Sequence, residues 1–272
     1  MCRISFIYGE DIELMKATVW ATVQASENDK YKNALGYGPV HGDGWGVIGA
    51  SLSSRDSIKR MYYYSSIEPI FKDQEGINAL LKFVEKSRRS LVIIHSRYTS
   101  IGLSNVFNTH PFHFSDKEFE FWIVHNGTMD KRALELALKT PSPEDISDTY
   151  LLGRFIYEKI DKLDPAEIVR AYQQASAYTK SAMNTMGMFH SVKGELHAVI
   201  TAYINEELRD NQNAIEYYKL VELISDNVRV VVSSTIADII QHKFQNSRIL
   251  LNKIYYLPIN GSNEEALQIL DL

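Results

Sequence analysis

The chain has 272 residues, 45% hydrophobic and 23% charged, with only 7 Pro and 14 Gly, a composition that can bury a large core and is at odds with disorder. A formal net charge of −5 leaves no basic excess for phosphates, which argues against a nucleic-acid partner. Glu10, Asp11 and Glu13 interrupt the N-terminus too early for a secretory signal, and no apolar run approaches the roughly 18 residues of a membrane span. A cytoplasmic enzyme or subunit without a membrane partner is the expectation, and a lone cysteine fits a reducing compartment.

The first stretch, "CRISFIY" (2–8), alternates as a strand, and "DIELMKATVWATVQASE" (11–27) follows as a helix with Leu14, Thr18, Ala21 and Ala25 along one side. "WGVIGASL" and "IKRMYYYSS", joined by the turn-prone "SSRD", predict a hairpin. Ile77, Leu80, Leu81 and Val84 recur at helical spacing within 74–88. Two apolar strands, "SLVIIHSRY" and "FEFWIVHNG", each end in polar residues. Helices are expected from near Ser147 and over 165–183, followed by strands in "MGMFHSV", "LHAVITAYI", "YYKLVELI" and "VRVVVSS". Helices grouped between hairpin-like strands imply antiparallel sheets with helical layers, and no Pro- or Gly-rich linker divides the chain.

The one cysteine, Cys2, stands directly behind the initiator methionine. Removal of Met1 would leave a thiol and a free α-amine on one residue. The amine's pKa of roughly 7.7–8.0 lies near that of a thiol at roughly 8.5, so Cys2 can supply both nucleophile and base. An acyl-transferring thiol needs oxyanion donors, which the Asn126 side-chain amide and the Gly127 backbone N–H could provide where "FWIVHNG" ends; the same Asn-Gly also reads as a turn. Arg97, after the buried run "VIIHS", carries a planar fork suited to a carboxylate. Asp148 could bind an ammonium, although Ser147 and Asp148 equally suit a helix N-cap. Together these groups describe a pocket for an amino acid whose side chain carries an amide.

These residues resemble the class II glutamine amidotransferases of the N-terminal-nucleophile hydrolase group, and more narrowly its stand-alone members, which begin Met-Cys-Arg as this chain does. Five ordered segments from Cys2 to about residue 260 carry the likeness: "HGDGWG" with Asp43, "H-S-R" at His95–Arg97 running to Gly102, "NTHPF", "HNG" at His125–Gly127, and "S-D" at Ser147–Asp148. "VVVSST" resembles a late family strand. The resemblance implies a four-layer α-β-β-α sandwich of antiparallel sheets, in the α+β class, as a single amidotransferase domain over 2–272. It implies that Cys2 attacks the glutamine side-chain amide, Asn126 and Gly127 hold the oxyanion, Arg97 and Ser100 bind the α-carboxylate end, and Asp148 the α-amino group. Asp43, His95 and His125 are polar supports. Neither cofactor nor metal is implied, and ammonia would pass to a separate synthetase. Two departures stand out: Ile101 replaces a polar residue after the arginine, and Ser234 and Thr235 replace the usual acidic residue and its neighbour, removing any carboxylate role there.

Stand-alone members can instead cleave a γ-glutamyl amide within a larger molecule, and a non-catalytic binding or regulatory subunit of the same fold is a further alternative. A metal hydrolase built from His41, His95, His110, His113, His125 and Asp43 is a rival from another class, although their spacing matches no ligand pattern.

Overall fold

The computed structural model describes residues 2–53, 57–99, 101–259 and 268–272. The N-terminal alternation forms β1 (Arg3–Gly9), and Asp11 opens α1 (Ile12–Glu27) by accepting from the Leu14 N–H at 3.0 Å. Then come α2 (Lys30–Ala34), β2 (Trp45–Leu52), β3 (Ile58–Ser66), α3 (Gln74–Glu85), β4 (Arg89–Ser96), β5 (Phe112–Phe114) and β6 (Phe119–Met129). Three helices follow, α4 (Lys131–Leu138), α5 (Asp148–Glu158) and α6 (Pro165–Ser176), before β7 (Thr179–Ser191) and β8 (Leu196–Ala202). The remainder is α7 (Gln212–Tyr218), β9 (Leu220–Ser225), β10 (Val228–Ser233), α8 (Ser234–Ile240), β11 (Asn246–Leu250), β12 (Lys253–Pro258) and β13 (Gln268–Asp271). Among the described residues no helix is long and apolar enough to cross a membrane.

The strands form a seven-stranded sheet, ordered β11-β9-β10-β1-β4-β2-β3, and a six-stranded sheet, ordered β13-β12-β8-β7-β6-β5. Their pairings are antiparallel. Each sheet is apolar on both faces, so it needs cover on both. Between the sheets, Ile4, Phe6 and Ile93 of the first pack with Val124, Met186 and Ile200 of the second. Ile7, Val92 and Ile94 turn the other way, against Val19 of α1, Leu80 of α3 and Ile236 of α8. On the far side of the second sheet, Ile123 and Phe189 pack against Leu152 and Phe155 of α5 and Ile168 of α6. The architecture is therefore a four-layer α-β-β-α sandwich, the fold class expected from the resemblance.

The structure corrects the element boundaries in three places. The predicted helix over 165–183 ends at Ser176, and Thr179 already pairs with Met129. Continuing the helix would strip β6 of the ladder that satisfies its backbone groups. Tyr217 and Tyr218, read as strand, close α7, and Ser234, read as strand, opens α8. The predicted turn at "SSRD" lies largely outside the described residues.

Ile93 is fully buried between the sheets. Ile93→Ala should lower the unfolding free energy by about 2–5 kcal/mol, read as a lower urea midpoint at unchanged slope.

Candidate active site

Arg3 pairs with Ser96 across β1 and β4, which brings Cys2 beside the residues that follow β4. Its Sγ lies 3.7 Å from the Tyr98 carbonyl oxygen, and its backbone N–H donates to Asn126 Oδ1 at 2.7 Å. Three chain segments thus meet at the sulfur: the start of β1, the end of β4 and the end of β6. Cys2 is buried. Burial raises its thiol pKa, but the positive charge of the amino terminus and the charge and hydrogen bonding of His95 outweigh that and lower it from 9.0 to about 6. A thiol so placed is largely thiolate at neutral pH.

Asn126 is carried on the inner face of β6, two residues beyond Val124 and opposite Asn184 of β7. Because the Cys2 N–H can donate only to the oxygen of the amide, the amide orientation follows from that bond. The other half of the group, Nδ2, is buried with no hydrogen-bond partner. A Cβ on Gly127 would stand 1.8 Å from the Ala182 carbonyl oxygen, so the close approach of β6 and β7 requires glycine there. His125 faces away from the thiol. Its ring nitrogens lie 3.0 Å from Thr149 Oγ1 and 3.0 Å from the Ala182 carbonyl oxygen, and burial lowers its pKa. His95 rests Nε2 at 3.2 Å from the His125 carbonyl oxygen and stacks on His110 with centroids 3.9 Å apart.

Arg97 is buried, and Nη1 donates to the Leu103 carbonyl oxygen at 3.1 Å. Among the described residues it forms no ion pair, although the charges of Cys2, Asp43 and Asp148 act on it. Burial lowers its pKa, and those anions oppose that. Asp148, the first residue of α5, accepts from the Met129 N–H at 2.7 Å and from Ser147 Oγ at 3.3 Å. Ser147 is the helix cap, accepting from the Thr149 N–H at 3.3 Å. Asp43 accepts from the Thr99 N–H at 2.7 Å while its own N–H donates to the Arg97 carbonyl oxygen at 3.1 Å. It therefore braces the segment that follows Arg97. Ser100 and Met1 lie outside the described residues.

Sequence reasoning passed over a second charged group behind Cys2. Arg3 and Asp29 are wholly buried, with Arg3 Nε 2.5 Å from Asp29 Oδ2. His41 Nε2 lies 2.8 Å from the same oxygen, and Thr235 Oγ1 donates to Asp29 Oδ1 at 2.6 Å. Burial raises the Asp29 pKa, but Arg3 and His41 overcome that and hold it far below the usual carboxylate range. Ser234 and Thr235 bring no carboxylate, as expected, but Thr235 meets one from a distant segment, donating to Asp29. Nearby, buried Lys32 donates to the carbonyl oxygens of Tyr37, Gly38 and Val40 at 2.8, 3.0 and 2.8 Å and lies 3.7 Å from the Tyr98 ring centroid. The only sequence signal for this group was a run of polar residues at 26–33 where an amphipathic helix should have ended.

The histidines of the metal rival are engaged separately. His41 serves Asp29, His95 and His110 stack on each other, His113 stacks on Trp122 at 4.4 Å, and His125 bonds Thr149. Among the described residues no three His, Cys, Asp or Glu side chains are grouped to hold a metal.

No family model matches the sequence, and no curated protein sequence does. Solved structures do match. One, of the allosteric regulatory enzyme of purine biosynthesis, aligns with a TM-score of 0.62 at 14% identity over 94% of this chain and 47% of that one. Glutamine phosphoribosylpyrophosphate amidotransferase from B. subtilis aligns with a TM-score of 0.60 at 12% identity over 99% and 49%. The chain shares the fold of that amidotransferase. It spans about half the length of both matched chains.

Burial lowers the His41 pKa from 6.5 to about 3, the neighbouring Arg3 adding to that and Asp29 opposing it. Between those values the unfolded chain binds a proton that the folded chain does not, so this group's stabilisation is full above pH 6.5 and is lost as the pH falls. Unfolding free energy measured by urea titration should decline below pH 6.5, and His41→Gln should flatten that decline by up to about 1.4 kcal/mol per pH unit.

Proposed function

We propose that this protein is a glutamine amidohydrolase of the amidotransferase type, with Cys2 as an N-terminal nucleophile after removal of Met1. The observation that carries this reading is the pairing of a depressed thiol with Asn126, whose oxygen is occupied by the Cys2 N–H and whose buried NH2 is unpartnered. An unpartnered buried donor is costly, and the oxygen of a tetrahedral intermediate would relieve that cost.

In this mechanism the Cys2 thiolate attacks the side-chain carbonyl carbon of glutamine. Charge gathers on the carbonyl oxygen, which Asn126 Nδ2 and the Gly127 N–H receive. The α-ammonium of Cys2 gives its proton to the departing nitrogen, the C–N bond breaks, and ammonia leaves a thioester. The amine, now neutral, takes a proton from water as the water attacks the thioester, and glutamate is released with the thiolate restored. Arg97, which forms no ion pair among the described residues and spends Nη1 on the Leu103 carbonyl oxygen, offers its remaining N–H groups to the α-carboxylate, and Asp148 an anion to the α-ammonium.

Cys2→Ala should reduce ammonia release from glutamine to background, and Asn126→Ala should lower kcat by about 100- to 1,000-fold. Arg97→Lys should raise KM for glutamine more than it lowers kcat, because a point charge cannot reproduce two parallel hydrogen bonds. The intact mass of the purified protein should lack one methionine. Capture of Cys2 by a glutamine-like diazo ketone should be half-maximal well below the ordinary thiol range, because an amino-terminal charge and His95 lower the thiol pKa, and should fall about tenfold per pH unit below that midpoint as the thiolate is protonated. A midpoint near pH 8.5, or full ammonia release by Cys2→Ala, would overturn the assignment.

A further inference from the structure

The supports of Cys2 differ on its two sides. Toward β4, β1 pairs from its first residue, but toward β10 the ladder begins only at Ser5, opposite Val232. The reason is that β10 ends at Ser233 and the chain turns into α8. Backbone groups of residues 2–4 on that side need other partners. Ser233 Oγ supplies them for Ile4, accepting from its N–H at 3.1 Å and donating to its carbonyl oxygen at 3.3 Å. For Cys2 the carbonyl oxygen accepts from the Tyr217 hydroxyl at 3.3 Å.

Tyr217 is fully buried at the end of α7 and is held from several directions. The Arg3 guanidinium lies 4.2 Å from its ring centroid, and Arg3 Nη1 donates to its carbonyl oxygen at 3.0 Å. Ser234 Oγ donates to the same oxygen at 3.4 Å. Arg3 is anchored in turn by Asp29. We propose that Tyr217 is a positioning residue for the Cys2 nucleophile: its hydroxyl fixes the Cys2 carbonyl while Arg3 clamps its ring and backbone. With its N–H held by Asn126 and its carbonyl by Tyr217, Cys2 is restrained on both sides of Cα, and the sulfur keeps only rotation about χ1. Without the hydroxyl, the first residue of the mature chain would gain the freedom that chain termini ordinarily have, and small misplacements of a reacting atom reduce turnover steeply.

This inference rests on the reading of Cys2 as nucleophile, and because Cys2 is the chain's single thiol, iodoacetamide capture reports on it alone. Tyr217→Phe removes only the hydroxyl. It should lower kcat for glutamine about tenfold with KM within about twofold, and slow iodoacetamide capture by a similar factor. Tyr218→Phe is the control: Tyr218 is equally buried, and its hydroxyl bonds Ser181 Oγ at 3.1 Å. It should match Tyr217→Phe in melting temperature yet keep wild-type kcat and capture rate. Arg3→Lys, which keeps a cation for Asp29 but loses the flat clamp, should show the same loss of kcat at constant KM and serves if Tyr217→Phe does not fold. Wild-type kcat and capture in Tyr217→Phe, an equal loss in Tyr218→Phe, or wild-type kcat in Arg3→Lys would each overturn the proposal. Ammonia release by Cys2→Ala would instead overturn the functional reading, leaving the capture result to stand by itself.

Discussion

At the site the two sheets are tied by the hydrogen bond from the Cys2 N–H to Asn126 Oδ1, with His95 Nε2 beside the His125 carbonyl oxygen as a second link. Elsewhere the space between them is filled by apolar side chains, which pack without direction. At this edge the filling becomes polar, and geometry is set by directional bonds. The bond registers β1 against β6, orients the Asn126 amide, and leaves its NH2 buried without a partner. A different partner for that oxygen would turn the donor away from the thiol, so the electrostatic character of the site depends on this contact.

The frame around Cys2 is built from charged groups removed from solvent. Burying Arg3 with Asp29 carries a desolvation penalty that the attraction between them scarcely exceeds, and Arg3 Nη2 remains unpartnered. Such an arrangement contributes little net stability but much geometric definition. Asp29 receives Arg3, His41 and Thr235, together with the N–H groups of Tyr31 and Lys32 at 3.1 and 3.2 Å. It ties the strand that carries Cys2 to α2, to the segment before β2 and to the start of α8. Lys32 extends the same tie to Tyr98, whose carbonyl oxygen faces the sulfur. A strand end that would otherwise fray is thereby fixed beside the Cys2 sulfur, which is the placement a nucleophile at that position requires.

Apolar alternation and helical spacing determined most of the architecture. "CRISFIY", "WGVIGASL" and "VRVVVSS" are strands because β-branched and aromatic residues suit two-sided burial, and α1, α3 and α5 follow their apolar spacing and their Asp and Ser caps. The same local signals placed Cys2, Arg97, Asn126 and Asp148 at element ends; the structure sets Asn126 against Cys2 and brings Cys2 and Asp148 within electrostatic reach of Arg97. Boundaries were less legible. Ala177 to Ala182 read as helix on their own, and only pairing with β6 draws Thr179 onward into β7.

What the sequence by itself determined was the longer strands and helices, the presence of one thiol at residue 2, and the separate segments carrying fork, amide and carboxylate, since these follow from local composition and spacing; the short elements α2, α4, β5, α7 and α8 and the strands β11 to β13 carried no signal that was read. Tertiary structure alone decided that Thr235 meets Asp29, that the Asn126 oxygen is taken while its NH2 is not, and that the Tyr217 hydroxyl, 215 residues along the chain from Cys2, reaches the Cys2 carbonyl where β10 no longer pairs. No local pattern encodes such contacts, because a buried polar group's role is set by whichever distant partners satisfy it once water has been excluded.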